Sequence, residues 1–205
     1  LEERKSNNAQ IIENTGKKPV VVNDLYLDKV GDYKKYTPAI AIGTFDENRQ
    51  VYLINRSRNG VPGVEVINSF TLKTDPVTYV AVNRGYLPRK ILNDGRSETW
   101  KPPSEVFEIE GFVMPPFSNG NLQGSEINRI DIDLLSAEWE LPLLPFYFKQ
   151  NQRMINDWPV QMEPLELTEG SHLSYAVQWF IFTLIGLVGY PLVLRRVVAD
   201  DRLVA

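Results

Sequence analysis

Between residues 19 and 150 apolar and polar positions alternate in short bursts, and turn-forming residues separate the bursts. "PVVVNDLYL" (Pro19–Leu27) is rich in valine, and "AIAIGTF" (Ala39–Phe45) follows it. "DENR" then precedes "QVYLIN" (Gln50–Asn55), a pattern that predicts a hairpin turning at residues 46–49. "RNGVPG" supplies turn chemistry before "VEVINSFTL" (Val64–Leu72), and "TYVAVNRG" (Thr78–Gly85) predicts another strand, closed by a glycine turn. After the polar loop Asp94–Ser104, "EVFEIEGFV" (Glu105–Val113) alternates again, and a second loop runs from Pro115 to Ser125. Asn128–Trp139 is expected to begin as strand and end as a helical turn. In Leu141–Gln150 two prolines, Pro142 and Pro145, forbid a regular helix. Six or seven short strands without alternating long helices predict a mainly antiparallel β fold, a barrel or a sandwich with short helices.

The two ends of the chain break this rhythm. Leu1–Asn14 predicts a short helix that Gly16 ends. From Tyr175 to Leu194 the sequence carries twenty residues without a charge. At about 1.5 Å per residue they span about 30 Å, one hydrocarbon core, and they predict a C-terminal transmembrane helix. Arg195 and Arg196 follow the run, whereas Glu163, Glu166 and Glu169 precede it. Cationic flanks stay on the cytoplasmic or matrix side, so the large domain is expected outside. The organisation is then an N-terminal segment (1–18), an outward-facing β-rich domain (19–155), an extended linker (156–170), a transmembrane helix (171–196) and a cytoplasmic tail (197–205).

Composition narrows the chemistry. There is no cysteine, which excludes disulfides, thiolate metal sites and cysteine nucleophiles. A net charge of −4 argues against a general nucleic-acid binder. Nucleophile elbows, phosphate loops and dinucleotide fingerprints are missing from the sequence. Asp131 and Asp133 lie two apart and would share one face of a strand, either as an acid–base or cation-binding pair or as a solvated face.

The single histidine, His172, stands just before the apolar run. One imidazole cannot build a zinc site, but it suffices as an axial ligand to haem iron, which already has four porphyrin nitrogens. The same residue would equally suit a hydrogen bond at the headgroup level. Tyr175 and Trp179 follow one helical turn apart, as aromatic residues do at membrane interfaces. Gln178 places a primary amide where a partner helix or ligand would satisfy it, and Gly186 and Gly189 allow close helix approach. Arg84 ends the strand pattern at Gly85, either in an ion pair or as a planar fork for a carboxylate.

Three blocks in order resemble the Surfeit locus protein 1 family. "HLSYAVQWF" (His172–Phe180) is similar to the start of that family's second membrane helix. "VAVNRGYLP" (Val80–Pro88) resembles its V-N-R-G-W-x-P block, with Tyr86 where tryptophan is usual. Gly43–Phe70 resembles its central strand pair and G-x-P-G turn, and the likeness runs from about Ile40 to Arg196. The family pattern is helix, outward domain, helix, so residue 1 is expected to follow a further membrane helix. The wording of the last block is closer to bacterial, especially actinobacterial, members, which implies a bacterial plasma membrane.

The resemblance implies an assembly factor for haem-copper cytochrome c oxidase that handles haem a; it carries no bond-making reaction, so the protein is expected not to be an enzyme. His172 would be the iron ligand, with Tyr175 and Trp179 as haem-binding neighbours. Gln178, Gly186, Gly189 and Arg84 would be partner contacts, toward the oxidase's haem-bearing subunit. The competing expectation is a scaffold or accessory subunit, bound to the oxidase or a respiratory supercomplex without holding haem.

Overall fold

The computed structural model describes residues 9, 11–22, 35–74, 77–151, 158–161 and 177–191. Contacts divide the chain into two units, Leu1–Leu165 and Glu166–Ala205. In the first, a short helix α1 (11–15) ends where Gly16 N–H donates to Ile12 O at 3.2 Å, as the glycine predicts. The strands are β1 (Val20–Val21), β2 (Thr37–Arg58), β3 (Val61–Leu72), β4 (Thr78–Pro88), β5 (Phe107–Met114), β6 (Leu122–Gln123), β7 (Glu126–Ile127) and β8 (Leu143–Gln150). Helix α2 (Arg89–Asn93) follows β4, and α3 (Ile132–Trp139) precedes β8.

Five of these strands close on themselves. β2 pairs with β3, β3 with β4, β4 with β8, β8 with β5, and β5 returns to β2. All of these pairings are antiparallel except β4–β8, so the ring is a Greek-key barrel with the strand order of the OB type. Of the two architectures expected, it is the barrel. Closure depends on β2, which at 22 residues is several times an ordinary strand. Its first part, Thr37–Gly43, pairs with β5, and from Gly43 onward it pairs with β3. Gly43 belongs to both ladders, and a Cβ there would collide with the carbonyl oxygen of Thr71. The strand passes from one neighbour to the next at the residue without a side chain.

The hairpin expected at residues 46–49 does not form. Both flanking runs pair with β3, and the register steps from Asp46↔Ser69 to Gln50↔Asn68, leaving Glu47–Arg49 as a bulge. The turn-prone residues close that bulge locally. Asp46 accepts from the Asn48 N–H at 2.9 Å and from Arg49 Nη1 at 2.6 Å, while Arg49 Nε reaches Trp139 O at 2.9 Å. Burial pushes the Asp46 carboxyl up, but the hydrogen bonds from Arg49 and Asn48 outweigh it and hold the group below its usual range. The reversal comes one run later, at Asn59 (φ 51°) and Gly60 (φ 77°), a primed two-residue turn.

Two other expectations change. Of the predicted strand Pro19–Leu27, only Val20–Val21 is strand, parallel to Ala39–Ile40 of β2; Asn23–Leu27 lie outside the described residues. Asp131 and Asp133 do not share a strand face. Asp131 is the N-cap of α3, accepting from Leu134 N–H at 3.3 Å and Gly120 N–H at 2.9 Å, and Asp133 sits in the first turn.

Alternation along the strands fills the barrel. Ala39, Ala41, Phe45, Phe70, Val80, Val82, Ile109, Phe146 and Phe148 form the inner cluster. The opposite face of the wall, with Val51, Leu53, Ile67, Ala81 and Tyr147, packs under α3 and β7. A third cluster joins Val64, Val66, Leu87 and Trp100, with Trp158 packed against it. Residues 158–161, expected in a solvated linker, therefore belong to the barrel: Val160 pairs with Tyr86 through two backbone hydrogen bonds of 2.8 Å. They take up β4's free side just past the end of β8.

In the second unit residues 177–191 are helical, about 22 Å long at 1.5 Å per residue. Among the described residues no helix is long and apolar enough to cross a membrane. Apolar side chains of this helix are exposed on every face, from Trp179 and Phe180 to Leu187 and Tyr190. Thr183 satisfies its hydroxyl within the helix, donating to Trp179 O at 2.9 Å.

Candidate functional site

The least ordinary feature of the barrel lies where the sequence predicts a strand to stop. β4 continues through Gly85 to Pro88, and Gly85 (φ 122°) forms a bulge. The register steps from Ile67↔Asn83 to Val66↔Gly85, which leaves Arg84 without a partner on β3. Asn83 holds the bend, its Oδ1 accepting from Gly85 N–H at 3.0 Å and its Nδ2 donating to Glu65 Oε2 at 2.8 Å. Val80 and Val82 point inward, and Arg84 continues that alternation into the barrel, where it is fully buried.

Inside, Arg84 Nη1 donates to Asn68 Oδ1 at 3.2 Å, and Asn68 Nδ2 donates to the backbone oxygen of Asp46 at 3.0 Å. The guanidinium carbon stands 5.3 Å from the centre of the Phe45 ring, which itself packs edge-on against Phe70 at 4.7 Å. Nε and Nη2, the two nitrogens along one edge of the guanidinium, are buried without a hydrogen-bond partner among the described residues. Among the described residues no carboxylate pairs with Arg84. Burial lowers the guanidinium from its ordinary value to about 10, against a smaller opposing influence of Tyr52, so it remains a cation at neutral pH. The indole Nε1 of Trp100, in the third cluster, is a further buried donor without a partner among the described residues.

A groove of about 160 Å³ lies on the wall beside this bulge, with Gly85 and Tyr86 along one side and Val160 and Gln161 along another. Arg56 and Arg58 of β2 and Lys149 of β8 bring three cations to it, and Glu65 of β3 brings one carboxylate. Glu65 stands 3.6 Å from Arg56 Nε and 3.7 Å from Lys149 Nζ, and Arg58 Nη1 donates to Gln161 O at 3.2 Å. Burial, followed by the Glu65 charge, raises the hydroxyls of Tyr36 and Tyr147. This groove was not legible in the sequence, because its residues come from four strands. The burial of Arg84 left only a trace there: it stands in phase with Val80 and Val82, but the glycine after it reads as the strand's end.

The residues singled out in the sequence divide accordingly. Arg84, expected at a contact surface, is enclosed in the barrel. Gln178 and Trp179 lie in the C-terminal helix, Trp179 at 69% exposure and edge-on to Phe182 at 6.2 Å. Gly186 and Gly189 of the same helix face open space. His172 and Tyr175 lie outside the described residues. Among the described residues no group of three or more acidic, histidine or cysteine side chains is placed to hold a metal ion.

The fold and the helix define a class, a small Greek-key barrel carrying a separate, exposed apolar helix. The SURF1 family model matches residues 1–184, from the N-terminal segment through the barrel and into that helix. The chain belongs to the SURF1 family, a family of cytochrome c oxidase assembly factors rather than of catalysts. A search of curated proteins found no match.

Proposed function

We propose that this protein is a membrane-anchored factor that handles haem a and promotes its insertion into the catalytic subunit of a haem-copper oxidase. The observation that carries the proposal is the extent of the family match, which takes in the barrel and the beginning of the apolar helix together. Apolar side chains exposed all round residues 177–191 call for a cover of lipid or protein. On this reading the uncharged run Tyr175–Leu194 is the anchor, Arg195 and Arg196 remain inside, and the barrel stands outside a bacterial plasma membrane.

Haem a suits the chemistry of this stretch. Its macrocycle would supply a redox-active iron, which His172 would hold through an imidazole nitrogen, and the exposed Trp179, with Tyr175, would lie against the apolar ring. A second reading rests on Gly186 and Gly189, beside which nothing stands within 4 Å. A partner helix can approach closely there, with Gln178 bonding across, and the protein would then clamp the oxidase without holding haem.

The full chain, purified in detergent from cells that make haem a, tests both. A bound haem band that His172→Ala abolishes while the variant still inserts is the expected result. Haem-free protein that co-purifies with oxidase subunits overturns the haem reading in favour of the clamp.

A further inference from the structure

The buried edge of Arg84 has a chemistry of its own, independent of haem and of the C-terminal helix. A guanidinium in a protein interior ordinarily has its donors matched, because each unmade bond of a charged group forfeits its hydration. Arg84 leaves two unmade, and they are not scattered. Nε and Nη2 lie on the same edge of the plane and form a side-on fork, while Nη1 on the other side is held by Asn68. That fork matches the two oxygens of one carboxylate. The orphan indole N–H of Trp100 is a donor as well, so both buried groups call for an acceptor.

Access is built into the wall. Beyond Gln150 the neighbour of β4 is no longer a full strand but the single bridge between Tyr86 and Val160, held by two hydrogen bonds. Gly85, next to Arg84, lines the basic groove on that side. Two backbone hydrogen bonds and the one from Arg58 to Gln161 O tie this edge, fewer than the ladders around it, and Arg56, Arg58 and Lys149 outweigh the single carboxylate of Glu65 outside it and favour anions over cations.

We propose that the barrel is a receptor for one carboxylate group of a small ligand, which Arg84 holds through its Nε and Nη2 edge after entry past Tyr86 and Val160. The bound anion neutralises the buried cation, so binding and barrel stability are linked.

Sodium formate is the probe, with sodium chloride at equal ionic strength as the control for charge without two matched oxygens. The full chain in detergent is expected to melt at a temperature that rises with formate and saturates, beyond any rise with chloride. Arg84→Lys, which keeps the charge and loses the fork, is expected to weaken the formate response about tenfold or more. Arg84→Met is expected to abolish it. Because a variant can fail to fold, broadening of the formate proton resonance by wild-type protein provides a direct reading. Equal effects of formate and chloride, or no saturable broadening, would overturn the proposal. So would an undiminished formate response in a folded Arg84→Met. An unchanged response in Arg56→Gln/Lys149→Gln would remove the groove as its entrance.

Discussion

Replacing Arg84 by methionine reveals whether the barrel tolerates or depends on its buried charge. Burial takes the guanidinium from its ordinary value down to about 10. At about 1.4 kcal/mol per pH unit, that is a cost of about 3.5 kcal/mol, constant at every pH below about 10. Above that the sign is favourable: the unfolded chain still binds the proton while the folded one releases it, so the penalty fades as pH rises toward the ordinary guanidinium range. Methionine keeps an unbranched stem in the same space and removes the charge. Against this gain stand the bond to Asn68, about 1.5–3 kcal/mol for a charged donor, and the stacking on Phe45, about 1 kcal/mol. The terms nearly cancel, so Arg84→Met is expected within about 1 kcal/mol of wild type, as happens when a buried charge gives way to an apolar side chain. Urea unfolding in carboxylate-free buffer, followed by fluorescence of the barrel tryptophans Trp100 and Trp139, gives the difference. A loss above about 3 kcal/mol would show that the arginine holds the barrel together, and would refute the reasoning.

Two further outcomes test the wall around that residue. Gly85→Ala combines a positive φ with a Cβ driven into the carbonyl of Val160; it is expected to cost about 1–3 kcal/mol and to shift the Trp158 emission to the red as residues 158–161 detach. An unshifted spectrum and unchanged stability would mean that the segment does not depend on the bulge. Asp46 has its folded pKa below the ordinary 3.8, so its contribution is present above that value and is lost as pH falls through the folded one. Asp46→Asn is therefore expected to lose less than about 1 kcal/mol at pH 7 and to show a shallower fall in stability below pH 4, read from urea midpoints across pH 2.5–7. Parallel acid limbs in the two proteins would count against the Asp46–Arg49 clasp.

Period-two alternation and turn chemistry determined a good deal by themselves. They put turn chemistry at Arg58–Gly63, where the chain reverses at Asn59–Gly60, placed the strands near Val64, Thr78 and Phe107, ended α1 at Gly16, and marked the apolar run in the C-terminal unit, but they broke the 22-residue β2 into two short strands. These features are local, because a strand's two faces and a turn's backbone angles are written in consecutive residues. Partner choice is not local. The same letters, Asp46–Arg49, suit either a hairpin or a bulge, and only the continuous ladder from Gly43 to Arg58 on β3 decided for the bulge. Likewise, Gly85 reads as a stop until β3 on one side and Val160 on the other carry β4 past it. Arg84 becomes an interior residue for that reason alone. The basic groove is wholly a product of closure: Arg56, Glu65, Lys149 and Gln161 are strangers in the sequence, and barrel formation makes them neighbours.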